Sequence, residues 1–335
     1  MIITKTPFRM SFFGGGTDME TFFRENGGAV LSSTFDKYCY VTVRHLPRFF
    51  DYSTELSYSR IERVTALEEI EHPAIRNAMK MLDMHEIRLT YEADLPARSG
   101  LGTSSSFAVG MLNAFYCLKG KYADKRKLAD EAIYLERVLC NEAGGWQDQI
   151  AASFGGMNRI EFNEDGTYDV KPVIIHPDRK KQLNDNLLLF FTGFTRFSSD
   201  MQKENALGYA EKQAQLRKMK QLVDEAEALL EDKKANLDEF GRLLDYTWRL
   251  KRQTGGAITT NSIDAIYERG LSAGALGGKL LGAGGGGFLV FYVQPDKRDA
   301  VLEAMKDLLY VPFRFEDGGT RVIHYSPESY EPKEE

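Results

Sequence analysis

The stretch Pro96 to Phe107, PARSGLGTSSSF, constrains what this chain can fold into more than any other. Before it, Ile87 to Ala93 (IRLTYEA) interleaves apolar and polar residues at period two, which predicts a half-buried strand. After it, Ser104 to Leu118 (SSSFAVGMLNAFYCL) spaces its apolar residues for a helix. The connection is made of Gly100, Leu101, Gly102, Thr103, Ser104, Ser105 and Ser106. Glycines let the backbone approach a ligand closely, and a helix start carries unpaired amide hydrogens and partial positive charge, so the stretch is an anion cradle by construction. Its hydroxyls add donors, and one of them can reach a magnesium ion. The same residues also fit a plain helix after a flexible loop, capped by the hydroxyl residues from Ser104 onward. No GK[ST] ends the loop, so it is not a Walker A sequence.

Two further glycine runs flank this one in the chain. Gly282 to Gly287 (GAGGGG) precedes the strand-like Phe288 to Val293 (FLVFYV), and such a cluster serves either close backbone approach or a flexible turn. Pro7 to Asp18 (PFRMSFFGGGTD) ends a β-like stretch in glycines and sets Asp18 beyond them, where its carboxylate can grip sugar hydroxyls or cap the next helix. Glu136 lies shortly before the turn Asn141 to Gln149 (NEAGGWQDQ), and Asp148 near its end. Carboxylates in such places are commonly solvated. In a phosphoryl-transfer site two of them divide the work, one orienting the acceptor hydroxyl and one holding magnesium against the phosphates.

A chain of 335 residues with 43% hydrophobic content is long enough for two domains, each burying its own core, with a cleft between. Tyr38 to Arg44 reads as another strand, and a helix is expected over roughly Lys125 to Asn141. Asp200 to Gln253, rich in Lys, Glu, Ala, Leu and Gln, predicts long amphipathic helices that begin the second domain. Glycine dominates Gly270 to Gly287, then come the strand Phe288 to Val293 and a helix over Lys297 to Leu308, an order that suggests an α+β layer of helices on an antiparallel sheet. The polar tail Pro327 to Glu335 is expected to fray.

The net charge of −6 supplies no basic field, so neither nucleic acid nor a membrane surface is an expected partner. Cys39, Cys117 and Cys140 form no CxxC pair, which argues against a disulfide framework or structural zinc. The N-terminus MIITKTPFRM has no apolar core of signal-peptide length, and a cytoplasmic location is expected.

Taken in order, Pro7, Arg9, Gly14 to Asp18, PARSGLGTSSS, GGWQDQ and GGKLLGAGGGGF resemble the three signature blocks and the catalytic aspartate region of the GHMP kinases, from Lys5 to about Val290. The resemblance implies a two-domain α+β GHMP kinase fold, with a ribosomal protein S5 domain 2-like N-terminal part and a ferredoxin-like α+β C-terminal part. It divides the chain into an ATP and phosphate-loop domain over 1–195 and a C-terminal GHMP domain over 196–330. It implies ATP and Mg2+ as cofactors, with Gly100 to Ser106 as the phosphate loop and Gly284 and Gly285 within the third block that braces it. Ser104 and Glu136 become the magnesium ligands, and Asp148 the residue that orients or deprotonates the acceptor. Arg9 takes the place of a Lys or Arg that neutralises developing charge, and Gly16, Thr17 and Asp18 that of sugar-binding residues.

Within the family, TPFRxSFFGGGTD followed by NGGAVLS is similar to bacterial kinases of D-glycero-D-manno-heptose 7-phosphate, whereas galactokinases show GEHTD here. That implies γ-phosphoryl transfer to the anomeric hydroxyl of a small sugar phosphate by a monomer or homodimer; L-fucokinase-like activity and a non-catalytic nucleotide-binding regulator are the alternatives. A substrate phosphate calls for cations, for which Lys37, Arg44, Arg48 and Arg196 are candidates, Arg196 foremost because TGFTR follows the strand-like NLLLFF. Tyr58 and Ser59 are candidates for the adenine end.

Overall fold

The computed structural model describes residues 1–97, 99–193, 209–254, 258–282 and 284–327. It is built on two long antiparallel strands, β1 (Ile2–Phe13) and β2 (Gly28–His45), joined through the short helix α1 (Glu20–Asn26) and paired from Ile2 against Val43 to Phe13 against Leu31. Most of β1 is buried, so its apolar run needs cover on both faces. The chain continues through β3 (Thr54–Ser57), β4 (Ile61–Val64), α2 (Pro73–Met81), β5 (Ile87–Ala93), α3 (Thr103–Leu118), α4 (Lys125–Ile133), α5 (Gln147–Phe154), β6 (Met157–Phe162) and β7 (Tyr168–Pro172). Then come α6 (Pro177–Asn186), β8 (Leu187–Phe191), α7 (Tyr209–Glu231), α8 (Asp238–Gln253), α9 (Asn261–Ser272), β9 (Ala275–Leu280), β10 (Phe288–Val293), α10 (Arg298–Ala304), β11 (Leu309–Tyr310) and β12 (Arg321–Tyr325).

The first sheet runs β12-β1-β2-β5-β3-β4, with β6 and β7 added along the first part of β2. Helix α3 crosses β1 and β2 and is buried almost all round, as its unbroken apolar sequence requires. The second sheet, β11-β8-β10-β9, is antiparallel and carries α8 and α9, the helix-covered layer expected for the C-terminal part. The expected division after residue 195 falls outside the described residues. On either side of it the chain has already entered the second sheet with β8 and later returns to the first with β12.

Each part buries an apolar cluster of its own, around Val41, Leu89, Val109 and Phe115 in the first and Phe190, Trp248, Tyr267 and Phe291 in the second, but a third cluster joins them. Their largest apolar cluster is common property: Phe8, Phe12 and Phe13 of β1 pack with Leu222 and Val223 of α7, Phe240 of α8 and Tyr292 of β10. Phe240 meets Phe12 and Phe13 edge to face at 5.5 and 5.2 Å. The physical reason is that α7 lays its apolar face on β1 and β2 and packs against α8, which covers β9 and β10 of the second sheet.

Local expectations fare unevenly. The strand over Ile87 to Ala93 is as read, but α3 starts at Thr103 behind a left-handed Gly102 with no side-chain cap. The serines are drawn elsewhere: Ser105 Oγ donates to Glu136 and Ser106 Oγ to the Pro7 carbonyl. The helix after Lys125 does not continue regularly to Asn141; it passes at Tyr134 into a π-helical turn ending at Leu139. Strand β9 occupies part of the glycine-dominated stretch, where a Cβ on Gly277 would lie 2.0 Å from the Gly241 carbonyl oxygen of α8. The helix expected over Lys297 to Leu308 is shorter, Arg298–Ala304, after a 3-10 turn at Pro295–Lys297. Of the expected Asp200 to Gln253 helices, residues 200–208 lie outside the described ones, as do residues 328–335 of the tail.

The return to the first sheet is held by Glu316, which accepts hydrogen bonds from Tyr38 Oη at 2.5 Å, Arg321 Nη2 at 2.9 Å and the Gly318 amide at 2.8 Å. Burial alone raises its pKa, but these donors outweigh it and hold the carboxyl at about 2. A folded-state pKa below the unfolded value of about 4.3 means stability present above that value and lost as pH falls toward 2. The melting temperature of Glu316→Gln is therefore expected to lie below wild type at neutral pH, with the difference shrinking between about pH 4 and pH 2.

Candidate active site

Five segments meet at one end of the first sheet: the residues around Arg9, the loop Gly14 to Asp18, the loop Ser99 to Gly102 with the start of α3, the start of α5, and the loop Leu281 to Gly287 between β9 and β10. The backbone explains why three of them are glycine-rich. Gly100 (φ +82°) would place a Cβ 2.4 Å from the Leu281 carbonyl oxygen, Gly282 (φ +80°) one 2.2 Å from Gly100 Cα, and Gly287 one 2.3 Å from the Ser99 carbonyl oxygen. Glycine alone fits such backbone-on-backbone contact. Gly284 would meet the Ile258 carbonyl at 2.7 Å, and the Gly285 amide donates to that same carbonyl at 3.0 Å. The third glycine block thus lies directly on the expected phosphate loop.

Arg9 ties these pieces together. Its Nε and Nη2 donate to Asp148 Oδ1 at 2.8 and 2.7 Å, and its Nη1 to the Gly100 carbonyl at 2.8 Å. Its own amide reaches the Leu101 carbonyl at 3.1 Å. Asp148 is the second residue of α5, and a Cβ on Gly102 would stand 3.4 Å from its carboxylate. An oriented carboxylate and a guanidinium therefore stand beside the start of α3, which has no side-chain cap and whose partial positive charge favours an anion.

Glu136 reaches this place through the π-helical turn, closed by the Cys140 amide on the Leu135 carbonyl at 2.9 Å. The wider turn rotates Glu136 inward, where it is 2% exposed. Burial raises its pKa, opposed by the Arg137 charge and by hydrogen bonds from Ser105 and Gln149. Ser104 is exposed and makes no such bond; Ser105 is the loop hydroxyl that meets Glu136. No group of three His, Cys, Asp or Glu capable of holding a metal occurs among the described residues. The donor set is one a magnesium nucleotide fits, since that ion keeps waters and phosphate oxygens and takes few protein ligands. Unpartnered buried oxygens gather here too: Ser99 Oγ just before the expected phosphate loop, Ser11 Oγ, Gln147 Oε1 and Gln149 Oε1. A polar ligand would satisfy them.

Asp18 is 3% exposed, its Oδ1 accepting the Gly16 amide at 2.9 Å and its Oδ2 the Gln147 amide at 3.3 Å. Burial first, then the neighbouring Asp148 charge, push its pKa up. It does not cap α1, whose N-cap is Met19. Thr17 is turned into the loop, its hydroxyl donating to the Gly14 carbonyl at 2.8 Å and accepting the Ala29 amide at 3.1 Å, which fixes Asp18 rather than offering a ligand group. A Cβ on Gly16 would touch only Leu216 of α7, at 3.0 Å.

Sequence reasoning missed two lysines. Lys251 of α8 is half-buried and donates to the Gly282 carbonyl, and Lys279 of β9 is 2% exposed and donates to the Phe12 carbonyl at 2.8 Å. Burial and the charge of Arg9 lower both pKa values, that of Lys251 to about 8. Of the cations considered for a substrate phosphate, Arg48 is paired with Glu86 and Lys37 lies 3.6 Å from Asp36. Arg44 lies on β2 in register with Arg88 of β5, away from the glycine loops, and Arg196 lies outside the described residues. Tyr58 stands edge to face with His72, which leads through Phe107 in the second turn of α3 to Tyr91. Ser59 is in the turn between β3 and β4.

The model of the GHMP kinases N terminal domain matches residues 64–156, and that of the GHMP kinases C terminal region matches 215–311. The chain is 30% identical to D-glycero-alpha-D-manno-heptose 7-phosphate kinase of Campylobacter jejuni over 91% of its own length and 93% of that protein's. It is 30% identical to the L-fucokinase/L-fucose-1-P guanylyltransferase of Bacteroides fragilis over 64% of its length, though only 23% of that larger protein is covered. Among solved structures, a D-glycero-D-manno-heptose 1-phosphate kinase from Bacteroides thetaiotaomicron superposes with a TM-score of 0.78 at 24% identity, covering 97% of this chain and 99% of the other. A putative sugar kinase from Campylobacter jejuni gives 0.76 at 26% identity, with 96% and 97% covered.

The Gly100 contact yields a direct test. Gly100→Ala is expected to lose more than the about 1–2 kcal/mol of a left-handed L-residue, because the methyl has no room beside Leu281, and to weaken nucleotide binding with it. Urea unfolding with and without ATP checks both effects; an unchanged nucleotide-induced shift would separate this loop from the nucleotide.

Proposed function

Because the chain belongs to the GHMP kinase family, and so is a phosphotransferase acting on a sugar hydroxyl, we propose that it transfers the γ-phosphoryl group of ATP to the anomeric hydroxyl of D-glycero-D-manno-heptose 7-phosphate, giving the 1,7-bisphosphate. The observation that carries the reading is the Arg9–Asp148 pair beside the uncapped start of α3. It sets a fixed carboxylate next to a phosphate cradle. The substrate is drawn from the Campylobacter jejuni relative, which matches this chain nearly end to end.

In this mechanism the backbone from Gly100 through Leu101, Gly102 and Thr103 to Ser106, with the hydroxyl of Ser104, cradles the nucleotide phosphates, while the Ser105 and Ser106 hydroxyls hold Glu136 and the Pro7 carbonyl. Asp148 orients the sugar hydroxyl in line with the γ-phosphorus and takes its proton as the new O–P bond forms. Arg9 holds Asp148 in place and stabilises charge on the transferring group. Asp18 accepts hydrogen bonds from other sugar hydroxyls, with Gly16 and Thr17 shaping the loop that presents it, and Gly284 and Gly285 keep the covering loop against Ile258. Ser104 and Glu136 would hold Mg2+, which neutralises the β- and γ-phosphates when bound. Arg196 remains the proposed contact for the distal sugar phosphate. We take the protein to act in the cytoplasm as a monomer or homodimer.

A fucose-directed activity is the second reading, favoured by the identity to the Bacteroides fragilis enzyme. ADP release with Mg-ATP, measured across heptose 7-phosphate, unphosphorylated heptose, fucose, galactose and mevalonate, decides between them, with the product phosphate assigned by phosphorus NMR. Turnover of heptose 7-phosphate with a new anomeric phosphate is expected. Turnover of fucose alone would transfer the assignment to the second reading, and no turnover at all would favour a nucleotide-binding regulator. Asp148→Asn is expected to lower kcat by about 10²-fold or more while leaving the KM for ATP within about twofold, since it acts in the transition state.

A further inference from the structure

Ser11 and Gln147 are 5% and 8% exposed, and among the described residues Ser11 Oγ and Gln147 Oε1 have no hydrogen-bond partner. Both side chains converge on Gly15, where a Cβ would stand 3.5 Å from Ser11 Oγ and 3.9 Å from Gln147 Nε2. A buried polar atom left without a partner costs free energy, so two of them facing one point mark a place where a polar group belongs. The glycines of this loop differ in what they need. Gly14, at φ +77°, would drive a Cβ to 1.9 Å from the Ala29 carbonyl oxygen, and Gly16 has φ +98°. Gly15 has neither a left-handed φ nor a clash to avoid, and a methyl there would make ordinary contacts. What its missing side chain provides is room beside Ser11 and Gln147. Gly15 is partly exposed while those two are buried, so the room opens outward.

This room adjoins the reacting groups. On β1 the pairing is regular from Arg9 against Thr34 to Ser11 against Ser32, so the Arg9 and Ser11 side chains share a face, about 7 Å apart along the strand. Gln147 directly precedes Asp148 in α5, and its backbone amide donates to Asp18 Oδ2 at 3.3 Å. The chemistry of the two side chains selects the ligand group. Neither carries a charge, Gln147 Oε1 can only accept a hydrogen bond, and the Asp18 carboxylate lies alongside. Phosphate, which brings acceptors and negative charge, is disfavoured there. A hydroxyl fits, because it donates to Gln147 Oε1 and accepts from Ser11 Oγ.

We propose that Ser11, Gly15 and Gln147 form a hydroxyl-reading subsite of the acceptor pocket, in which the two buried side chains hydrogen-bond one sugar hydroxyl other than the reacting one and Gly15 leaves it room. They determine specificity for the acceptor, since a sugar lacking that hydroxyl leaves two buried polar atoms unpaired. The inference rests on the sugar-kinase reading of Asp18 and Asp148. It also sends any phosphate carried by the acceptor to another part of the pocket.

The experiment is steady-state kinetics of the full chain on Gly15→Ala, Ser11→Ala and Gln147→Met, with the sugar that wild type turns over and with its single-deoxy analogues, one for each non-reacting hydroxyl. Gly15→Ala is expected to raise the sugar KM about tenfold or more and to leave the KM for ATP within about twofold, because the methyl occupies the hydroxyl's place and nothing else. It should melt no lower than wild type, since the loop itself accepts alanine. Ser11→Ala is expected to lower kcat/KM for the sugar about three- to tenfold, the size of one neutral hydrogen bond. That loss should vanish with one deoxy analogue and persist with the others, and the loss in Gln147→Met should vanish with the same analogue. An unchanged sugar KM in Gly15→Ala, equal losses for sugar and ATP, or losses that persist across every analogue overturn the subsite. Turnover of no sugar by wild type, or full activity in Asp148→Asn, instead overturns the reading of the reaction on which the inference stands, so the two failures are told apart. Should Gln147→Met fold poorly, Ser11→Ala and its analogue profile decide.

Discussion

The two halves of this protein meet where backbone touches backbone. Gly100 and Gly282 approach so closely that a methyl group on either would strike the other's loop, and Gly287 sits in the same way on Ser99. No side chain mediates that contact, so the position of the loop before α3 is transmitted from the second sheet without a flexible intermediary. The rest of the site depends on it. Arg9 reaches Asp148 and the Gly100 carbonyl at once because the loop is held where its carbonyl faces the guanidinium. The amides at the start of α3 stay uncapped because Ser105 and Ser106 are committed to Glu136 and to β1.

The shared apolar cluster gives that contact its stiffness. Phe12 and Phe13 sit at the end of β1, just before the glycines that lead to Asp18, and both pack against Phe240 of α8. The same helix carries Lys251 about three turns further on, toward the loop. Burying aromatic surface at one end of α8 thus fixes where its charged end arrives, which is how a core interaction becomes a property of the site.

What the sequence made legible was whatever is local. Period-two alternation located β5, apolar spacing located α3, and glycine runs marked close approach because no other residue tolerates it. Glu136, Asp148, Arg9 and Asp18, separated by up to 139 positions, do come together around the start of α3. What stayed hidden is set by tertiary closure. In WRLKRQ, Lys251 has the sequence setting of any solvated lysine on an amphipathic helix, and only the fold brings the Gly282 carbonyl to it. Lys279 lies among glycines that hide its strand. The π-helical turn leaves no mark in composition, because one extra residue per turn changes the register of a helix without changing the residues that favour it. The capping role assigned to the serines failed for a related reason: a hydroxyl near a helix start has several acceptors, and the tertiary ones won.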